Sequence, residues 1–194
     1  MITGSIVALV TPMLPDGAID KEGLATLIEY HIQSGTAALG IAGTTGESAT
    51  LTMAEHIDII QFAVEQAAGR IPVVAGTGSN STHEAIELTV AAAAAGAEYS
   101  LLVTPYYNKP PQEGLYRHFC QVAAAVNIPI ILYNVPSRTG VDLSSETVLR
   151  LSEVGNIAGL KDATGDVERG GALIAKLPDT FGVYSGDDAT ALDL

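Results

Sequence analysis

The segment Ile157-Ala-Gly-Leu-Lys-Asp-Ala-Thr-Gly165 combines an apolar run with a lysine near its end. The run predicts a buried strand, and an ammonium group is costly to bury unless it is paired or deprotonated. A lysine in a dry pocket loses its proton more easily and becomes the nucleophilic amine that Schiff-base chemistry requires. The alternative is a lysine at the end of a strand that simply reaches solvent. This segment by itself leaves both interpretations open.

Similar apolar runs recur along the whole chain at roughly the period of one βα unit. They predict seven strands, at Ser5–Val10, Ala38–Ala42, Pro72–Ala75, Tyr99–Thr104, Pro129–Tyr133, Ile157–Lys161 and Phe181–Ser185. The runs are nearly continuous rather than alternating, as is typical of parallel strands that are covered on both faces.

Amphipathic segments with helix-capping signals lie between the predicted strands. The predicted helices begin at Asp20, at the capping boxes Thr52-Met-Ala-Glu55 and Ser81-Thr-His-Glu84, near Pro111, at Ser144 or Ser145, and at Asp166, and a seventh begins within Asp188–Leu194.

This βα order fits either an open doubly wound sheet or an eightfold barrel. A dinucleotide-binding sheet requires Gly-x-Gly-x-x-Gly after the first strand, and Val10–Gly17 has no such pattern. Gly76-Thr-Gly78-Ser-Asn80 lacks the third glycine, so it is either a weak phosphate-binding signal or a tight turn. Polar residues follow nearly every strand, which favours a barrel with one functional mouth. We therefore expect an α/β fold, a (β/α)8 TIM barrel. Residues 1–194 would form a single catalytic domain that is truncated after the seventh strand and lacks the eighth strand and C-terminal helices.

The bulk properties exclude several classes of function. A net charge of −13 argues against nucleic acid and against anionic membrane surfaces as partners. No apolar run approaches the roughly 20 residues of a membrane span, and the first residues do not resemble a signal peptide. The single cysteine, Cys120, excludes an internal disulfide and is typical of a reducing cytoplasm. The four histidines fall on predicted helices without the spacing of metal ligands, so we expect no metal site.

The alternation of side chains along a strand places Lys161 relative to its neighbours. If Lys161 points into the barrel, Gly159 and Ile157 do so too, and Gly159 leaves space beneath the lysine. Tyr133 and Ile131 point the same way on the neighbouring strand. A tyrosine at this depth can transfer protons during Schiff-base formation, although it could equally be a core aromatic residue.

Three further segments could bind a small anion. The turn Gly43-Thr-Thr-Gly-Glu47 offers backbone N–H groups and two hydroxyls that suit a carboxylate, or it is only a connector. Arg138 lies on a loop stiffened by proline and glycine, where a guanidinium can bind a carboxylate through two hydrogen bonds or remain solvated. Tyr106 and Tyr107 form an aromatic pair whose usual role is packing or subunit contact.

Four segments together resemble the pyruvate-dependent class I aldolase family of dihydrodipicolinate synthase and N-acetylneuraminate lyase. They are Gly43-Thr-Thr-Gly-Glu47, Val103-Thr-Pro-Tyr-Tyr-Asn108, Tyr133-Asn-Val-Pro136 and Gly159-Leu-Lys-Asp-Ala-Thr164. The resemblance runs from Gly4 to Leu194. The Ser-Arg-Thr-Gly140 that follows Pro136 looks like the branch that condenses pyruvate with L-aspartate 4-semialdehyde to 4-hydroxy-tetrahydrodipicolinate, on the diaminopimelate route to lysine.

The resemblance implies a role for each matching residue. Lys161 would form a Schiff base with pyruvate, without a cofactor, and Tyr133, Thr44 and Tyr107 would form a proton relay. Tyr107 would reach in from a neighbouring subunit of a homotetramer, a dimer of dimers in the cytoplasm. Thr45 would hold the pyruvate carboxylate, while Arg138 would orient Tyr133 and bind the carboxyl end of the semialdehyde.

The resemblance also implies an allosteric lysine site in part, and two other functions stay open. The residues that map to the lysine site are Ser48, Ala49, His56, Asn80, Glu84 and Tyr106. Met53 departs from the histidine that is common in lysine-inhibited members. The alternatives are another pyruvate aldolase acting on a sugar acid or hydroxy-oxo acid, and a non-enzymatic barrel that binds a small carboxylate.

Overall fold

All seven predicted strands are present, and they form one sheet in chain order. The computed structural model describes residues 1–194. The strands are β1 (Ile6–Ala8), β2 (Ala38–Ile41), β3 (Val73–Gly76), β4 (Tyr99–Val103), β5 (Ile130–Asn134), β6 (Ile157–Asp162) and β7 (Gly182–Ser185). The sheet order is β1-β2-β3-β4-β5-β6-β7. Pairs β1–β2, β2–β3, β3–β4, β5–β6 and β6–β7 are parallel. This βα order with parallel neighbours confirms the predicted α/β fold of the (β/α)8 barrel class, seven strands of which lie in this chain.

The helices follow the strands as predicted. They are α1 (Lys21–Gln33), α2 (Met53–Ala67), α3 (Thr82–Ala95), α4 (Gln112–Ala125), α5 (Pro136–Thr139), α6 (Ser145–Leu151) and α7 (Val167–Ile174). The single-turn α5 and a 3-10 turn at Ser48–Thr50 were not predicted. The prediction of a helix beginning within Asp188–Leu194 is wrong, because these residues form turns. No helix is both long enough and apolar enough to cross a membrane.

The predicted caps explain where most helices begin. Asp20 and Thr52 are N-caps whose side chains accept backbone N–H groups, and Thr52 forms a complete capping box with Glu55. Ser144 and Asp166 cap α6 and α7 in the same way. The second predicted box is only half formed. Ser81 Oγ accepts the Glu84 N–H at 3.4 Å, but the Glu84 carboxylate accepts the Ser79 hydroxyl at 2.6 Å instead of the Ser81 N–H.

A bulge in β6 changes which face its first residue occupies. Ile130 pairs with Ile157 but Ile131 pairs with Gly159, so Ala158 is an extra residue in the ladder. Ile157 therefore packs in the same apolar cluster as Leu160. The prediction that Ile157 shares the face of Lys161 is wrong, because the alternation is reset at Ala158. Above the bulge the predicted alternation holds.

The chain contains two compact units, each with its own apolar core. The amino-terminal unit comprises Ile2–Thr77 and Leu88–Leu101, and the carboxyl-terminal unit comprises Met1, Gly78–Glu87 and Leu102–Leu194. In the amino-terminal unit, helix residues such as Ile28 and Ile60 pack on strand residues such as Leu39. In the carboxyl-terminal unit the core residues include Phe119 and Leu132.

Candidate active site

Lys161 and Tyr133 lie side by side at the ends of β6 and β5. The strand register pairs Tyr133 with Lys161, and Lys161 Nζ lies 4.5 Å from the centroid of the Tyr133 ring. This contact shows that both side chains project from the same face, as the strand pattern predicts. Tyr133 is buried and Lys161 is half-buried. A nucleophilic amine and a phenol are thus held together on two rigid strands.

The surroundings of Lys161 act on its charge in opposite directions. Burial lowers the pKa of Lys161, and the negative charge of Asp188 partly opposes this effect. The face of the Tyr133 ring also attracts the ammonium form. Burial is the largest of the causes acting on this pKa, so the neutral amine is more accessible at Lys161 than at an exposed lysine.

Tyr184 is a residue near Lys161 that was not predicted. The β6–β7 register pairs Lys161 with Tyr184, so the lysine is flanked by a tyrosine on each neighbouring strand. A side-chain carbon on Gly159 would stand 3.1 Å from the Tyr184 ring and 2.6 Å from the Gly182 carbonyl oxygen. The space that was expected at Gly159, beneath Lys161, is therefore occupied by β7 and the Tyr184 ring. Glycine at both 159 and 182 was the only sequence signal for this close approach.

Asn134, next to Tyr133, belongs to a hydrogen-bond network that joins β5, α7 and the loop after α5. Asn134 follows Tyr133, and its amide donates to Asp142 Oδ1 at 2.8 Å and accepts the Leu143 N–H at 3.1 Å. Arg169 on α7 donates to Asp142 Oδ2 at 2.8 Å and also to the Leu143 carbonyl. This network fixes the end of β5 against α7 and the loop after α5.

Asp162, which follows Lys161, connects the ends of β6 and β7. Its carboxylate accepts the Thr164 hydroxyl at 3.0 Å and the Thr164 N–H at 3.2 Å, while its carbonyl accepts the Gly186 N–H at 2.7 Å. Burial raises the pKa of Asp162, and the bonds from Thr164 oppose that change. Because both polar groups of Asp162 are bonded, the backbone beside Lys161 has little freedom to move.

Arg138 lies on α5, the single turn that begins directly after Val135. The α5 turn is closed by the Thr139 hydroxyl, which donates to the Val141 carbonyl at 2.9 Å. The Tyr107 N–H donates to the Thr139 carbonyl at 3.3 Å, which connects the tyrosine pair to the arginine loop. Tyr107 is 88% exposed and has a φ of 72°, a conformation that is uncommon outside glycine. Arg138 is exposed and forms no ion pair.

In the amino-terminal unit, the predicted carboxylate-binding turn follows β2. Thr44 and Thr45 are exposed, and the turn is closed by hydrogen bonds from the Glu47 and Ser48 N–H groups to Thr44 and Gly43. Those two N–H groups are therefore used inside the turn. Gly46 is buried against Leu9 and Thr11, which follow β1, and its carbonyl accepts the Thr11 hydroxyl at 2.7 Å. The turn is thus held from below, and its two threonine side chains face outward.

The residues of the expected lysine site divide between the two units. Ser48, Ala49 and His56 belong to the amino-terminal unit, where His56 is buried and its Nε2 lies 2.6 Å from the Gly76 carbonyl. Asn80, Glu84 and Tyr106 belong to the carboxyl-terminal unit, where the Asn80 amide donates to the Tyr106 carbonyl at 3.2 Å. No group of three or more His, Cys, Asp or Glu side chains is arranged to hold a metal ion.

Comparison with known proteins identifies the family. The fold and the Lys161–Tyr133 pair define a barrel-type α/β protein with a lysine at the end of its sixth strand. The dihydrodipicolinate synthetase family matches residues 1–194. The chain belongs to this family.

Individual relatives match this chain in sequence over its whole length. It is 59% identical over 194 residues to 4-hydroxy-tetrahydrodipicolinate synthase of Nitrosomonas europaea and 61% identical over 193 residues to that of Methylococcus capsulatus. Each match covers 100% of this chain and 66% of the relative, so the chain spans about two thirds of the length of these curated relatives.

Two solved structures are similar in fold as well. One is a chloride-inhibited dihydrodipicolinate synthase from Acinetobacter baumannii complexed with pyruvate. It has a TM-score of 0.98 and 59% identity, and the match covers 100% of this chain and 67% of that one. The other is the lysine-bound enzyme of Cyanidioschyzon merolae, with a TM-score of 0.94 and 43% identity, where the match covers 97% of this chain and 64% of that one.

Proposed function

We propose that this protein is a lyase that condenses pyruvate with L-aspartate 4-semialdehyde to 4-hydroxy-tetrahydrodipicolinate, in the diaminopimelate route of lysine biosynthesis. The observation that carries the proposal is the half-buried Lys161 in contact with Tyr133 on the adjacent strand. Family membership and the name shared by the curated relatives support the choice of substrates.

The first step is attack of the neutral Lys161 amine on the C2 carbonyl of pyruvate. Water leaves the resulting carbinolamine, and the product is an imine on Lys161. This step needs a proton donor for the departing hydroxyl, and the phenol of Tyr133, whose ring contacts Lys161 from the neighbouring strand, can act as that donor. Burial favours the neutral amine and so favours the attack.

The imine then loses a proton from C3 of the pyruvyl group and becomes an enamine. The enamine carbon attacks the aldehyde carbon of the semialdehyde, and the new alkoxide takes up a proton. The amino group of the semialdehyde next attacks the imine carbon and displaces Lys161, which closes the ring and regenerates the amine. These steps use only the two substrates and protein side chains, so the proposal includes no cofactor and no metal.

The remaining roles follow the family resemblance and are part of the proposal. Thr44 and Tyr107 complete the proton relay with Tyr133, Thr45 holds the pyruvate carboxylate, and Arg138 binds the carboxyl end of the semialdehyde. The exposure of Tyr107 supports its proposed position at a contact with a second subunit. We extend the proposal to a cytoplasmic homotetramer, a dimer of dimers.

Trapping the Schiff base tests the proposal directly. Borohydride added with pyruvate should attach one reduced pyruvyl group to Lys161, located by peptide mass spectrometry, and turnover should require both substrates. Lys176 is a matched control because it is an exposed lysine on the same unit. Lys161→Arg should abolish the adduct, whereas Lys176→Arg should leave it intact. Absence of an adduct on the unmodified protein would rule out the mechanism.

A lysine effector site at Ser48, Ala49, His56, Asn80, Glu84 and Tyr106 is also part of the proposal. The lysine-bound structure of the Cyanidioschyzon merolae relative supports testing it. Met53 is 36% exposed at the start of α2, and its thioether is only a weak hydrogen-bond acceptor for a polar ligand. We expect Met53→His to lower the lysine concentration needed for half inhibition. An unchanged inhibition curve in this variant would argue against a contact at position 53.

A further inference from the structure

Four of the nine Lys and Arg side chains of this protein form no ion pair. The chain has 9 Lys and Arg residues against 22 Asp and Glu residues. Five of the cations form ion pairs with carboxylates. They are Lys21, Arg70, Arg117, Arg150 and Arg169. The four that form none are Lys109, Arg138, Lys161 and Lys176. Lys161 and Arg138 already belong to the candidate site, which leaves two lysines to account for.

Lys109 is held against the loop that carries Arg138. Its side chain lies across Gly140, because a carbon added to Gly140 would stand 2.7 Å from Lys109 Cε and 3.4 Å from Nζ. Gly140 ends the α5 turn with a φ of 72°. The Tyr107 N–H, two residues before Lys109, bonds to the Thr139 carbonyl of the same turn. Two exposed cations are thus attached to one small loop.

The backbone at Lys109 also departs from the usual regions. Lys109 has a φ of 46° and Tyr107 a φ of 72°, so two non-glycine residues in this short segment occupy the left-handed region. Such conformations cost free energy and persist only where surrounding contacts hold them. Lys176, in contrast, lies just after α7 in ordinary exposed surroundings.

We propose that Lys109 is a second carboxylate-binding cation, which acts with Arg138 on the carboxyl end of the aldehyde substrate. This inference rests on the proposed function, because it takes its substrate from it. The carboxylate end of the zwitterionic semialdehyde must be held on a protein of net charge −13, and two neighbouring cations that form no ion pair offer it local attraction. Thr45 is already assigned to the pyruvate carboxylate, so Lys109 should affect the semialdehyde and not pyruvate.

The test uses substitutions that separate charge from packing. Lys109→Met keeps the aliphatic contact with Gly140 and removes the charge, Lys109→Arg keeps both, and Lys176→Met makes the same change of net charge elsewhere. An exposed ion pair corresponds to roughly a two- to fivefold change in affinity, so Lys109→Met should raise KM for the semialdehyde by that factor. We expect kcat and KM for pyruvate to stay unchanged, and Lys109→Arg to restore the wild-type KM.

Salt distinguishes an electrostatic role from a structural one. The Debye length falls to about 3 Å at 1 M salt, so the difference between wild type and Lys109→Met should disappear there. The proposal is overturned if Lys109→Met and Lys176→Met behave alike, if the difference persists in high salt, or if KM for pyruvate changes instead. Failure of the proposed function looks different, because the wild-type protein would then give neither a pyruvyl adduct nor turnover, and the assignment of Lys109 would fall with it.

Discussion

The buried imidazole of His118 should make the stability of this protein fall steeply in mild acid. His118 is only 5% exposed on α4, and its Nδ1 lies 2.9 Å from the Thr82 hydroxyl while its buried Nε2 has no hydrogen-bond partner. Burial lowers the pKa of His118 from 6.5 to about 4. The folded protein therefore keeps this ring neutral at pH values where the unfolded chain protonates it.

The sign and size of the effect follow from proton linkage. Above pH 6.5 the ring is neutral in both states and contributes no pH dependence. Between pH 6.5 and about 4 only the unfolded chain binds the proton, so the free energy of unfolding falls as the pH falls. At about 1.4 kcal/mol per pH unit the loss reaches about 2 kcal/mol at pH 5 and levels off near 3 kcal/mol below pH 4.

The assay compares wild type with His118→Gln by urea unfolding at pH 7.5 and at pH 5. Far-UV circular dichroism is the suitable signal because the chain has no tryptophan. Carboxylates also titrate in this range, so the relevant quantity is the difference between the two proteins at each pH. That difference should shift by about 2 kcal/mol in favour of the variant on acidification. His83→Gln is the control, since that side chain is 84% exposed. A wild-type-minus-variant difference that is the same at both pH values would refute the reasoning.

Three further predictions concern the candidate site. Arg138→Ala should lower kcat/KM for the semialdehyde by roughly 10- to 100-fold, the value of a hydrogen bond to a charged group, while the exposed control Arg117→Ala should not change it in steady-state assays. Tyr184→Ala should admit water beside Lys161 and so raise the pKa of Lys161. The pH dependence of borohydride trapping should then move to higher pH. An unchanged pH profile would show that Tyr184 does not shield the amine. Arg169→Ala should cost about 1–2 kcal/mol in urea unfolding, because it leaves the half-buried Asp142 carboxylate without its cation, and a loss below about 0.5 kcal/mol would contradict that role.

Local sequence signals account for most of the fold. Continuous apolar runs located all seven strands, and Asp20, Thr52, Ser144 and Asp166 act as the N-caps that their side chains predict. These signals succeed because they are local. A strand that is buried on both faces must be apolar along its length, and an N-cap side chain accepts a backbone N–H only two or three residues away. The helix predicted within Asp188–Leu194 is wrong, because this segment has a helix-like composition but forms only turns.

The lysine–tyrosine pair was predicted for a geometric reason. Tyr133 and Lys161 each lie near the end of consecutive strands, and parallel register aligns them. The surroundings of the pair could not be predicted, because they depend on contacts between distant segments. Tyr184 was missed because its ring fits only where two glycines on separate strands allow it. The Asn134–Asp142–Arg169 network joins residues that are 8 and 27 positions apart, and sequence spacing alone carries no trace of it.

The extra residue in β6 divides this strand into two segments that can change independently. Before Ala158, the orientation of Ile157 is set by its packing in the apolar core of the carboxyl-terminal unit. Above it, the segment from Gly159 to Asp162 keeps its own alternation in register with β5 and β7. Core substitutions at the base of the strand can therefore be absorbed without turning the amine away from its tyrosine. A design that moves this lysine into another barrel should transfer residues 158–162 together. Without the bulge at Ala158, the host strand would decide whether the lysine faces the barrel interior or the helices.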